Sequence, residues 1–268
     1  MNGLEALLLG LLQGLTEFIP VSSSGHLVIV KNLFGIETKD ASFEIIVHAA
    51  TVLSTVVVFR KELWEMISDT VRFRRTGATS LTLRILFSTI PVLIVGLFFK
   101  DRIASLFTGG LTIVGWMLLL TAALLGTSQW LSVRKQKKGN THPIGYRDAI
   151  LIGIAQAVAV MPGLSRSGAT IATGLSLGNH KDQVAPFSFM MVLIPVLGET
   201  FLEIIGGGFT PAATGISFSV MAIGFAAAFI SGLFACKFMI AIVRKVRFTW
   251  FAIYCLLAGL ACLIVPLL

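Results

Sequence analysis

The sequence predicts an all-α integral membrane protein with six transmembrane helices plus two re-entrant helix–loop–helix hairpins in an inverted-topology repeat. Three observations carry this reading. Of the 268 residues, 56% are hydrophobic and only 13% are charged, against roughly 25% charged in a soluble domain. Several apolar runs approach or exceed the ~20 residues that cross a bilayer. Two further apolar stretches, each broken by a cluster of Ser, Gly and Pro, match one another in sequence.

The six predicted spans are Phe43–Phe59, Thr82–Phe99, Leu111–Leu131, Ala185–Ile205, Phe218–Val243 and Trp250–Leu268. Gly3–Phe34 is different, because Pro20, Ser22, Ser23, Ser24 and Gly25 interrupt it. Asp148–Gly178 is interrupted by Pro162, Gly163, Ser165, Arg166, Ser167 and Gly168. Each break leaves short helical arms. Non-helical backbone at membrane depth is tolerated only where it is buried in protein or lines a wet cavity. Both stretches therefore read as re-entrant hairpins.

Basic residues test that topology. With the Arg60–Arg84 and Leu131–Arg147 loops in the cytoplasm and Asp148–Gly178 re-entrant, fifteen basic residues lie inside. Four lie outside: Lys31, Lys39, Lys100 and Arg102. A fully crossing Asp148–Gly178 gives eleven against eight, so the positive-inside rule favours the hairpin. Both termini then lie outside. The net charge of +8 does not indicate a nucleic-acid partner, because the basic residues cluster between apolar runs. Cys236, Cys255 and Cys262 sit in apolar segments and read as packing residues. The N-terminus lacks a basic n-region and a small-residue cleavage site, so no removable signal peptide is expected.

The repeat links GLLQGLTEFIPVSSSGH, from Gly10, to GIAQAVAVMPGLSRSGA, from Gly153. Gly10 matches Gly153, Gln13 matches Gln156, Ser22 matches Ser165, Ser24 matches Ser167 and Gly25 matches Gly168. Each copy precedes three spans, an odd number, so the second copy is inverted. The chain is one polytopic domain over 1–268, with repeat one at 1–131, a basic cytoplasmic connector at 132–147 and repeat two at 148–268. Inverted repeats with broken helices place a site between the breaks.

The breaks supply chemistry. Gln13 and Glu17 are four apart and share a helix face. Ser22, Ser23, Ser24 and His26 follow in the first break, and Ser165, Arg166, Ser167 and Thr170 stand in the second. Ionisable groups at membrane depth, here Glu17 and Arg166, are costly and point to function. Each Ser-Gly junction opens a helix whose free N–H groups suit phosphate, and Arg166 can clamp phosphate oxygens with two donors. The combination suits phosphoryl transfer. Duller explanations exist. The serines and Gly25 could simply pack helices closely, and Arg166 could be an ion-pair partner of Glu17. Glu44 and His48, four apart, read equally as substrate contacts or as a helix-facing pair. Glu199 and Glu203 read as snorkelling or structural.

QGLTEFIPVSSSGH (Gln13–His26) and MPGLSRSGATI (Met161–Ile171) resemble the two signature motifs of the bacitracin-resistance type undecaprenyl-diphosphate phosphatases. The resemblance extends over nearly the whole chain. That family's first motif has Glu or Gln, three residues, then Glu; this chain has Gln13 at the first position, so that residue is not an essential acid here. The resemblance implies hydrolysis of undecaprenyl diphosphate to the monophosphate plus phosphate at the outer face of the plasma membrane. Such a reaction recycles the lipid carrier for peptidoglycan synthesis and confers bacitracin resistance. It also implies a divalent cation, Mg²⁺ or Ca²⁺. It carries over Glu17, Ser23, His26 and Arg166 as catalytic residues, with Ser22, Ser165, Ser167 and Thr170 around them; the reading of the breaks adds Gln13, Ser24, Gly25 and Gly168 to the phosphate-binding set.

The nucleophile stays open at this point: Ser23 with Glu17 or His26 as base, His26 itself, or water activated by either. Any Mg²⁺ would be held mostly by the substrate phosphates, with Glu17 as the one carboxylate ligand. The rival class is a lipid-phosphate transporter or flippase, since inverted repeats around a midplane anion site also serve transport. A homodimer is compatible with the chain, but no motif marks its interface.

Overall fold

The computed structural model describes residues 1–38, 41–99, 110–243 and 245–265. Lys39, Lys100, Arg102 and Arg244, which enter the charge count, and the last three residues of the sixth predicted span lie outside the described residues. Among the described residues the protein is all-helical: α1 Gly3–Glu17, α2 Ser23–Phe34, α3 Ser42–Val58, α4 Arg60–Val71, α5 Gly77–Phe98, α6 Gly110–Lys137, α7 Tyr146–Val158, α8 Arg166–Leu177, α9 Lys181–Met191, α10 Leu193–Ile205, α11 Pro211–Thr214, α12 Phe218–Ile242 and α13 Thr249–Ile264.

Four helical stretches are long and apolar enough to cross a membrane: Gly77–Phe98, Gly110–Lys137, Lys181–Ile205 and Phe218–Ile242. The α3–α4 pair makes a fifth if counted as one bent unit, its two parts turned by 78°. The final helix α13 has 16 residues, about 24 Å of length. The surface is what a bilayer requires. Leu97, Phe98, Phe218 and Phe234 are at least 70% exposed, while Gln13 and Gln156 are fully buried.

Two expectations are corrected. Arg60–Arg84 is not a loop: α4 occupies its first half, and α5 begins at Gly77. Arg60, Lys61, Glu62, Glu65 and Asp69 give α4 a charged face that can lie outside the apolar layer. The second predicted loop likewise begins later, because α6 runs on to Lys137 and carries Arg134, Lys135 and Lys137 in its last turn. Cations there complement the negative end of the helix dipole.

Both breaks fold as helix–turn–helix pairs whose two arms pack on each other. The connector before α7 meets the end of α8: His142 N–H donates to Gly178 O at 3.0 Å, and His180 N–H donates to His142 O at 2.9 Å. Lys135 Nζ also donates to Leu177 O at 2.7 Å. In the first hairpin, Met1 before α1 and Ile36 after α2 pack on the same cluster around Leu9, Leu27 and Phe43.

Packing between the two halves is reciprocal. α1 lies along α12, and α7 lies along α5. A methyl group at Gly10 would fall 2.3 Å from Gly224 O, and one at Gly153 would fall 2.2 Å from Ser88 O. The glycines that match in the repeat thus allow matching backbone contacts. α6 and α13 pack against each other and close the bundle.

Candidate active site

The first break ends in Ser22, a non-glycine residue with φ of +70° and ψ of 93°. This conformation is costly for an L residue. It lets Ser22 cap α2, its Oγ accepting the Gly25 N–H at 3.1 Å. The second break repeats the device: Ser165 Oγ accepts the Gly168 N–H at 2.9 Å. In each copy the capping hydroxyl lies 3.4 Å from the serine two residues on, Ser24 or Ser167.

The breaks touch. Ser167 donates to the carbonyls of Glu17 and Ile19, each at 3.3 Å. Gly163 N–H reaches Ser24 Oγ at 3.5 Å, and a methyl group on Gly25 would stand 3.3 Å from Gly163 Cα. Behind them Ser165 N–H donates to Thr121 Oγ1 at 3.2 Å, and the Thr170 and Ser188 hydroxyls share a hydrogen bond of 2.5 Å.

Glu17 ends α1 at the centre of this contact. Its Oε2 accepts from Ser23 Oγ at 2.5 Å and from Gln13 Nε2 at 2.7 Å. His48 Nε2 on α3 lies 3.5 Å from the same oxygen. All these contacts converge on Oε2. Arg166, the first residue of α8, lines a narrow cleft with Glu17, Thr51, Thr55, Ser167 and Ser188. Among the described residues its guanidinium takes part in none of the hydrogen bonds or ion pairs. Five donors left open beside a carboxylate–hydroxyl pair are suited to an anion with several oxygens.

A sequence profile described as "Bacitracin resistance protein BacA" matches residues 6–261. The chain belongs to that family. It is 49% identical to a protein of Parabacteroides distasonis and 49% identical to one of Bacteroides thetaiotaomicron, with all of each chain covered. It is 44% identical to a protein of Christiangramia forsetii over 98% of both chains. All three relatives are named undecaprenyl-diphosphatase.

In this BacA-family chain the structure brings Glu17, Ser23 and Gln13 into one hydrogen-bonded group, and Arg166 lines the same cleft as Glu17. His26 points elsewhere. Its Nδ1 lies 2.7 Å from Ser22 O, and its Nε2 lies 2.6 Å from the Tyr254 hydroxyl on α13. Of the even-handed pair Glu44 and His48, Glu44 binds Lys31 at 2.5 Å, whereas His48 reaches Glu17. Glu203 accepts from Ser42 at 3.3 Å. His48, Thr51 and Thr55 enter the site region although the motifs do not include them. The signal was present, since Glu44, His48, Thr51 and Thr55 fall at helical spacing in an apolar run. Ser188 and Tyr254 carried no such pattern. Among the described residues no group of three or more His, Cys, Asp or Glu forms a metal site.

Proposed function

We propose that this protein hydrolyses undecaprenyl diphosphate to undecaprenyl phosphate and inorganic phosphate, at a site formed where the two hairpins meet. The observation that carries the mechanism is the 2.5 Å hydrogen bond from Ser23 to Glu17, with Arg166 lining the same cleft as Glu17. Ser23 Oγ attacks the terminal phosphorus while Glu17 takes its proton. The bond from that phosphorus to the bridging oxygen breaks, and undecaprenyl phosphate leaves with the proton that Glu17 took, which frees Glu17 to act again as base. Water then hydrolyses the phosphoserine, with Glu17 as base and the proton returned to Ser23. Arg166 and the amides opening α2 and α8 balance the charge that grows on the phosphoryl oxygens.

A divalent cation fits this donor set. The hydrogen bonds to Glu17 fall on Oε2, leaving Oε1 as a ligand beside the phosphates. Mg²⁺ or Ca²⁺ held there would neutralise diphosphate charge and improve the leaving group.

The proposed setting is the bacterial plasma membrane, with six spans, two re-entrant hairpins and the site open to the outer face. The charge asymmetry supports it, as does the return of α7–α8 to the basic connector. The reciprocal packing of α1 on α12 and α7 on α5 supports the inverted repeat. That same symmetry favours the rival reading, a lipid-phosphate transporter.

One experiment separates them: phosphate release from a polyprenyl diphosphate by detergent-purified protein, with Mg²⁺ and with chelator. A phosphatase turns over without a sealed membrane. Metal-dependent release by the wild type that disappears in Arg166→Ala and Glu17→Ala supports hydrolysis at this site. No release by folded wild-type protein refutes it in favour of transport.

A further inference from the structure

We propose that Tyr254 is a positioning residue for the reaction. Acting through His26, it holds the strained Ser22 backbone that presents Ser23 to Glu17. The inference rests on the phosphatase reading above and assigns His26 a mechanical part in it.

The argument starts from the two ring nitrogens. A backbone carbonyl only accepts, so the 2.7 Å contact between His26 Nδ1 and Ser22 O places a proton on Nδ1. In the neutral ring Nε2 is then a bare acceptor, and the Tyr254 hydroxyl donates to it at 2.6 Å. The rings also stack, with centroids 5.6 Å apart and planes 10° from parallel. Both nitrogens are engaged, and neither lies among the groups bonded to Glu17. A nucleophile or base needs a free lone pair within reach of the reacting atoms. His26 has none in this arrangement.

What the ring does hold is Ser22. That residue's carbonyl accepts twice from His26, from the backbone N–H at 3.1 Å and from Nδ1. Its φ of +70° is one of two positive values among the described non-glycine residues. Backbone strain persists only where surrounding contacts over-determine it. Here the contacts run from Tyr254 to His26 to Ser22 O, and the next residue along the chain is Ser23. Release of the chain of contacts lets Ser22 relax and swings Ser23 away from Glu17.

The test uses full-length, detergent-purified protein and polyprenyl diphosphate turnover, with wild type, Tyr254→Phe, His26→Asn and His26→Ala. Asparagine can place an amide N–H where Nδ1–H stands but offers neither a nucleophilic nitrogen nor a base. Tyr254→Phe keeps the stacked ring and loses one hydrogen bond. Its kcat is expected to fall roughly five- to tenfold, with KM nearly unchanged. His26→Asn should stay within about tenfold of wild type, well above His26→Ala.

Two outcomes overturn the proposal. One is a His26→Asn protein that elutes and unfolds like wild type yet is as inactive as His26→Ala, which would restore a chemical role to His26. The other is a Tyr254→Phe protein with wild-type kcat. If His26→Ala does not fold, the comparison of His26→Asn with wild type decides alone. Turnover by the wild type is the control that separates failure of this inference from failure of the phosphatase reading.

Discussion

Ser23 and Arg166 hold the same position in two matching hairpins, each the first residue of a helix whose N-cap is a serine. Ser23 bonds to Glu17, and Glu17 lines one cleft with Arg166 from the opposite half of the chain. The copies have divided the chemistry. Where the first has Glu17, Ser23 and His26, the second has Val160, Arg166 and Ala169. The hydroxyl bonded to a carboxylate thus comes from one hairpin and the arginine from the other, and neither hairpin holds both.

That division predicts unequal effects of changing Arg166. Arg166→Ala should reduce kcat by about 100- to 1,000-fold, the range for losing one preorganised donor to a developing anion. Arg166→Lys should recover only part of it, because an ammonium cannot bind two oxygens in a planar fork. Steady-state phosphate release measures both. Equal activity of Arg166→Lys and wild type would show that charge alone suffices.

Ser23 and Glu17 should behave as one unit. Ser23→Ala and Glu17→Gln are each expected to lower kcat by roughly 100- to 10,000-fold. The double variant should be no worse than the poorer single, since groups acting in one step are not additive. Acid quenching with substrate labelled at the terminal phosphate should trap an acid-stable phosphoserine, absent in Ser23→Ala. Multiplicative losses in the double variant would separate the two roles.

Much of this site was legible because it follows the chain. Gln13, Glu17 and Ser23 lie within one motif, and Ser165 to Thr170 within another. Helix period and the Ser-Gly caps fix their local geometry, and the repeat indicates that the motifs converge. Tyr254 was not legible. It reaches His26 from 228 residues away, and a tyrosine in an apolar run carries no periodic mark. The same limit explains α4. Its charges read as a loop because the hydropathy that marks spans does not mark a short helix lying beside them.

The repeat-matched glycines predict where side chains are not tolerated. Gly10→Ala and Gly153→Ala each push a methyl group into a backbone carbonyl of the facing helix. Each should cost roughly 1–3 kcal/mol, the usual penalty for overpacking. Gly126 in α6 is the control, since a methyl group there meets nothing within 4 Å. Gly126→Ala should be neutral or gain up to about 1 kcal/mol from helix propensity. Thermal unfolding in detergent reads all three. A tolerated Gly153→Ala would contradict the close α7–α5 contact.

Topology yields the last prediction. The α7–α8 hairpin begins and ends beside the connector, joined by the His142 and Gly178 backbones. Positions before α7 and after α8 must then face the same compartment. Single cysteines at Lys138 and Asp182, both exposed, test this with a membrane-impermeant thiol reagent on intact cells and on opened membranes. The native Cys236, Cys255 and Cys262 are buried and should give little background. Both introduced cysteines should label only after the membrane is opened, while one at Glu37, after α2, should label in intact cells. Labelling of the Lys138 and Asp182 positions from opposite sides would mean that α7 and α8 cross as one span. The re-entrant reading of the second break, and with it a site shared between two re-entrant breaks, would then be wrong.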